Sequence, residues 1–263
     1  MAFVVNPTEL KRETLDGYTA YIAEADASAD LALREETAFL WSDGHPERAR
    51  QLNEGRTVVE QGPGKQPVKV PDGLLHDWVG AIRVPGATVG NALAVVQDYG
   101  NHKNIYRPEV MDSKLLSRSG DDFEIYLRLL KKKVVTVVLD TWHAVHYGSI
   151  DARRWYCRSC TTRISEIEDV GQPKEMARLP DTGYGFLWRL YSHWRFEERD
   201  DAVYIECRAI SLTRDIPAAL NWIISPMVKK LPMESLAATL ESTRRALSAT
   251  PTGPGIAPLP GAM

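Results

Sequence analysis

Apolar and polar residues alternate in series along the middle of the chain. Phe123, Ile125, Leu127 and Leu129 share one side of the segment 123–130. A long Val- and Thr-rich stretch follows over 134–147, then 154–167, 186–197 and 202–212. A period of two is the signature of a half-buried strand. The breaks at 119–122, Gly148-Ser149 and 199–201 are too short for parallel crossovers, so the pattern predicts an antiparallel meander of about six strands. Further strands are expected at 75–84, ended by Pro85-Gly86, and at 112–117.

Helical spacing frames this run. Val89, Leu93, Val96 and Tyr99 predict a helix from a Thr88 cap to about Ile105, open to division at Gly100. Toward the C-terminus, Met233, Leu236, Ala237, Leu240 and Leu247 form one apolar stripe, as in a helix laid across a sheet. Asp215 is its expected N-cap, with Pro217 in the first turn, and Pro226 and Pro232 should kink or divide it. Residues 8–53 read as helical: Thr8 can cap, Phe39-Leu40-Trp41 marks a second patch, and Pro46 suits a helix start. The cluster 61–67 is a loop, placing an N-terminal helical extension over 1–70, a main domain over 71–249 and a disordered Pro/Gly tail over 250–263.

Composition narrows the function classes. With 32 Lys+Arg against 35 Asp+Glu the formal charge is −3, without the cationic excess of a dedicated nucleic-acid binder. The uncharged stretches 84–97 and 216–228 fall short of a membrane-spanning helix, which needs about 20 apolar residues. Residues 1–7 lack the basic and apolar regions of a secretory signal, so the chain reads as soluble and unexported, with no location specified. Three cysteines, Cys157, Cys160 and Cys207, make no disulfide framework.

The order of elements resembles the helix-grip fold of the START-like superfamily, which includes polyketide cyclase/dehydrase, lipid-transport-like and Bet v 1-type (SRPBCC) domains. Three stretches carry the resemblance: 84–88 leading into Val95-Val96-Gln97-Asp98-Tyr99 and Tyr106-Arg107-Pro108-Glu109-Val110, Arg163-Ile164-Ser165-Glu166 closing a long strand, and 209–217 running into the last helix. It covers about residues 74–249 and leaves the first seventy unexplained. The resemblance implies an α+β fold in which a curved antiparallel sheet wraps a long C-terminal helix. Between them it implies a cavity for an apolar or amphipathic ligand. A fold shared by carriers and cyclases does not choose between them.

Candidate chemistry is sparse. Cys157 and Cys160, three apart in a strand, face opposite ways and cannot share a metal, and the same holds for His143 and His146. Asp98 and His102 stand four apart in a helical reading, with too few ligands for a metal site. No cofactor is expected. Lys131-Lys132-Lys133 reads as a solvated hairpin end, with weak contact to an anionic membrane surface as an alternative. In 186–197, Trp188, Leu190, Ser192, Trp194 and Phe196 form one side, matched by Val203, Ile205, Cys207 and Ala209. Arg189, Tyr191, His193, Arg195 and Glu197 form the other, matched by Tyr204, Glu206 and Arg208.

The apolar side should face the long helix, with Trp188, Ser192 and Trp194 lining the cavity and Trp142 within reach of it. The charged side could form a cross-strand ladder or pack under the N-terminal helices. One bulge would invert the assignment, and Arg195 and Glu206 would then line a polar cavity. The expectation is therefore a binding protein for a hydrophobic or amphipathic small molecule or lipid. A cyclase- or hydrolase-like enzyme using His and carboxylate groups in the same cavity is the alternative, and a partner-binding role for the N-terminal helices is a third reading.

Overall fold

The structure is a computed structural model that describes residues 6–34, 39–132, 136–215 and 221–249, with the side chains of 221–229 outside the description. In chain order the elements are β1 (Thr8–Glu9), α1 (Arg12–Arg34), α2 (Pro46–Asn53), β2 (Val58–Gln61), β3 (Val68–Val70), β4 (Gly73–Pro85), α3 (Val89–Gln97) and α4 (His102–Ile105). There follow β5 (Val110–Ser119), β6 (Asp122–Lys132), β7 (Thr136–Ser149), β8 (Arg154–Glu168), β9 (Met176–Ala177), β10 (Thr182–Gly183), β11 (Arg189–Arg199), β12 (Ala202–Arg214) and α5 (Asn221–Ala249).

The main sheet runs β2-β4-β12-β11-β8-β7-β6-β5, with β3 added to β4 and β9 to β8. All pairings are antiparallel. The first long strand therefore pairs with the last, and the rest descend in order to the β5 edge. α5 packs on β4, β12 and β2, and its C-terminal half also meets α3 and α4. This is the expected α+β helix-grip arrangement, a sheet wrapped around a long C-terminal helix.

The two sheet faces are buried by different parts of the chain. On the inner face Ile82, Val84, Phe123, Ile125, Phe196 and Ile205 pack with α3 and with Leu236, Leu240 and Leu247 of α5. Gly80 lets the helix approach: a Cβ there would lie 2.7 Å from Leu240 Cδ1. On the outer face one apolar cluster joins Tyr18 and Ala25 of α1 to Leu75, Tyr191, Ile210 and Leu212. A second joins Phe39, Leu40 and Leu52 to Ala81, Ala202 and Tyr204. Described residues between Tyr18 and Leu52 thus cover the outer face of the sheet. Sheet pairing begins at Val58, ahead of residue 71, because β2 and β3 pair with β4.

Local signals fared unevenly. Thr88 caps α3 through a capping box with Asn91, and the helix does stop before Gly100, with α4 following separately. Pro46 opens α2. Thr8 caps no helix. It pairs with Gly183, and α1 starts at Arg12. The Phe39–Trp41 patch is a turn, held by Asp43 accepting from the Leu40 amide at 2.8 Å. Whether Asp215 caps α5 turns on residues 216–220, which lie outside the described residues; the described part of α5 begins at Asn221. The Asp215 amide donates to the Asp72 carbonyl at 3.1 Å. α5 is one helix through Pro226 and Pro232, because each proline removes only one ladder bond while Leu236 and Leu240 anchor the helix to the sheet. Pro217, Lys133 and the tail 250–263 lie outside the described residues. Among the described residues, no helix is long and apolar enough to cross a membrane.

Candidate functional site

Strand register sets the inner face row by row. One row runs Trp78, Ala209, Ser192, Ser159, Val145, Phe123 across six strands. The row on one side of it contains Gly80, Cys207, Trp194, Cys157 and Tyr147, and the row on the other contains His76, Ser211, Leu190, Thr161 and His143. The middle of this face is thus made of small residues, and large rings stand around it. Ala209, Ser192 and Ser159 are half-buried. Three small, half-buried residues therefore stand side by side at the middle of this face.

The polar groups here are neutral. His143 is 5% exposed, and burial pushes its imidazole down to about 4. Burial has the same effect on His76, down to about 4, where Nε2 lies 3.1 Å from Thr213 Oγ1. His102 is also pushed down to about 4 by burial, with Nε2 3.0 Å from the Val96 carbonyl. His102 therefore does not pair with Asp98 on one helix, since α3 ends at Gln97 and the ring turns back onto it. Tyr99 and Tyr147 share a hydroxyl–hydroxyl bond of 2.8 Å. The Trp194 indole donates to Ser192 Oγ at 3.2 Å.

Of the residues singled out from sequence, the inner face brings together Ser192 and Trp194. Trp188 goes to the other face. β11 begins only at Arg189, so Trp188 sits in the preceding bend, outside the alternation, and is buried with Tyr18, Leu75 and Leu212 beneath α1. Trp142 also faces outward, beside Tyr126 and under the Arg163 guanidinium at 3.3 Å. Arg195 and Glu206 are on the outer face too, so the inverted assignment does not hold. Arg195 donates to the Phe39 carbonyl at 2.6 Å, and Glu206 accepts the Trp41 amide at 2.5 Å. Both serve to seat the N-terminal segment.

The rest of the charged side does the same. Arg208 binds buried Asp77 at 2.6 Å, and Tyr21 of α1 donates to that carboxylate at 2.8 Å. Arg158 and Tyr191 hold Asp30 and Asp26 of α1. Where α1 stops covering the sheet, a cleft of about 480 Å³ opens on the outer surface between Asp26 and the strands β5–β8. Its floor includes exposed Cys160, whose thiol is pushed up by burial and by Asp26. Cys157 is buried on the inner face, as strand geometry requires. Lys131 is paired with Glu109 and Ser235 rather than freely solvated.

Sequence reasoning missed Ser159, His143 and Thr141 as a unit. They are hydrogen-bonded across β7 and β8. Only the strand register shows this.

No protein-family model matches the chain, and no curated protein does. Comparison with solved structures returns START-domain proteins and polyketide aromatase/cyclases, the group that the sequence resemblance names. A STAR-related lipid transfer protein from Xanthomonas axonopodis aligns at 16% identity over 72% of this chain and 98% of that one, with a TM-score of 0.45. Human STARD10 aligns at 10% identity over 84% and 85%, TM-score 0.45. The Zhui aromatase/cyclase from Streptomyces sp. R1128 aligns at 11% identity over 66% and 94%, TM-score 0.44. By its strand order, its closing helix and the division of its two sheet faces, the chain is a helix-grip α+β protein.

Proposed function

We propose that this chain binds a hydrophobic or amphipathic small molecule between the inner sheet face and α5. The observation that carries this is the half-buried run Ala209–Ser192–Ser159 at the centre of the face, ringed by Trp78, Trp194 and Tyr147. Small-molecule sites combine apolar and aromatic walls with a few polar groups that fix orientation. Lipid transfer and aromatic cyclisation both figure in the names of structural neighbours. The neutral lining favours binding over either as the shared minimum. The test is fluorescence titration with N-phenyl-1-naphthylamine, a neutral apolar dye. The wild-type chain should enhance and saturate the dye signal. Ala209→Phe, which fills the floor, should abolish saturation while the far-UV spectrum is kept. An unchanged titration curve for that variant would overturn the proposal.

The enzymatic reading rests on the Ser159–His143–Thr141 chain, which has the order of nucleophile, base and orienting group. Two magnitudes count against it. The Ser159 Oγ to His143 Nδ1 distance is 3.4 Å, at the long end of a hydrogen bond. An imidazole at about 4 is also a weak base at neutral pH, where the best catalytic base titrates near the working pH. Turnover of p-nitrophenyl esters that disappears in Ser159→Ala would reverse this preference. Membrane-surface contact through 131–133 has little support, because Lys131 is already paired. Each lysine left near such a surface would contribute about 1 kcal/mol.

A further inference from the structure

With Thr141 donating to the Leu127 carbonyl, the hydrogen bonds around His143 take one direction. Thr141 Oγ1 donates its single proton to the Leu127 carbonyl at 3.0 Å. The same oxygen lies 2.9 Å from His143 Nε2, so it can only accept there, and Nε2 must carry the imidazole proton. The ring is neutral, since burial holds it at about 4, so Nδ1 is a bare acceptor. Ser159 Oγ lies 3.4 Å from Nδ1, a long contact in which a bare ring nitrogen can only accept the serine proton. That uses the one proton Ser159 has and leaves its lone pairs toward the space above the floor. Ser192, its register partner on β11, is the opposite case. Its oxygen accepts from the Trp194 indole, so its own proton remains free to donate.

We infer that the site selects an uncharged ligand bearing a hydroxyl group, which donates to Ser159 and accepts from Ser192. This rests on the reading of the inner face as a binding site and deepens it by naming the ligand class. The relay is directional from the Leu127 carbonyl outward. An ether offers Ser159 no proton and leaves that oxygen unpaired on a desolvated surface. A carboxylate is worse, because it brings a charge to a wall whose three histidines are held neutral and whose other named polar groups are hydroxyls and one indole N–H, with no cation among them to pair it. A hydroxyl satisfies both serines at once. Cross-strand partners of this kind are about 5 Å apart, within reach of a single oxygen between them.

The test uses three probes matched in size: decan-1-ol, its isomer 1-methoxynonane, and decanoate, titrated calorimetrically into the full chain at pH 7. The alcohol should bind at least tenfold tighter than the ether or the carboxylate. Ser159→Ala should bring alcohol and ether within about twofold of each other by weakening the alcohol alone. Thr141→Val, which frees the imidazole to change tautomer, should shrink the same preference without touching the site. If alcohol and ether bind equally to the wild-type chain, or if Ser159→Ala keeps the preference, the relay is wrong and the binding site stands. If none of the three binds, the binding-site reading falls and the relay inference with it.

Discussion

Lowering the pH from 7 to 5 should destabilise this fold, and the histidines set how much. His76, His102 and His143 are pushed from 6.5 to about 4 by burial, and His193 to about 3 by burial and by Arg195, Arg158 and Arg208 around it. Between pH 6.5 and 4 the unfolded chain binds protons on these rings that the folded chain refuses. The stability they contribute is therefore whole above pH 6.5 and is lost as pH falls toward 4. For one ring the loss between pH 7 and 5 is about 2 kcal/mol, and for four it is about 7 kcal/mol. That is comparable to the whole stability of an ordinary domain, about 5–15 kcal/mol. Glu166, Glu197 and Glu206, raised by burial, act in the opposite sense and reduce the net slope. A single variant isolates the term. His102→Gln keeps a donor for the Val96 carbonyl but cannot titrate, so its stability should fall by about 2 kcal/mol less over the same interval. Urea unfolding at pH 7, 6 and 5 measures both chains. A wild-type midpoint that does not move, or a variant with the wild-type slope, would refute the reasoning.

Three further outcomes follow from single contacts. Asp77→Ala leaves the Arg208 guanidinium buried without its carboxylate and should cost about 3–5 kcal/mol in thermal unfolding, whereas Asp77→Leu with Arg208→Met should recover most of it. Gly80→Val drives a side chain into Leu240 and should cost about 1–3 kcal/mol, with Leu240→Val in the same chain restoring part of the loss. Thr88→Ala removes the capping box of α3 and should cost about 1 kcal/mol by chemical denaturation.

The alternation in β11 and β12 sorted apolar from charged sides, and the structure puts those sides where the pattern said. Val203, Ile205, Cys207, Trp194 and Phe196 face α5, while Arg195, Glu206 and Arg208 lie under the N-terminal segment. The stripe Leu236, Leu240, Leu247 was equally legible, and so was the Thr88 cap. These features are local: a period or a cap needs no knowledge of what lies opposite. Trp188 was misread because alternation stops where the strand does, and one residue of bend reverses a side chain.

The pairing of Ser159 with His143 was out of reach for a different reason. The residues are sixteen apart, and they meet only through the register of β7 with β8. Beyond that pair the register carries a bulge between Trp142 and His143, where Arg163 is followed by Thr161 as partner and Thr162 is skipped, and this sets what stands opposite Thr141. An extra residue of this kind switches which side of β8 faces inward. Sequence alone therefore determined that a meander would grip a terminal helix with its apolar side. Which hydroxyls and imidazoles meet in the gap was decided by strand register, because hydrogen-bond direction depends on neighbours that the chain brings together only on folding.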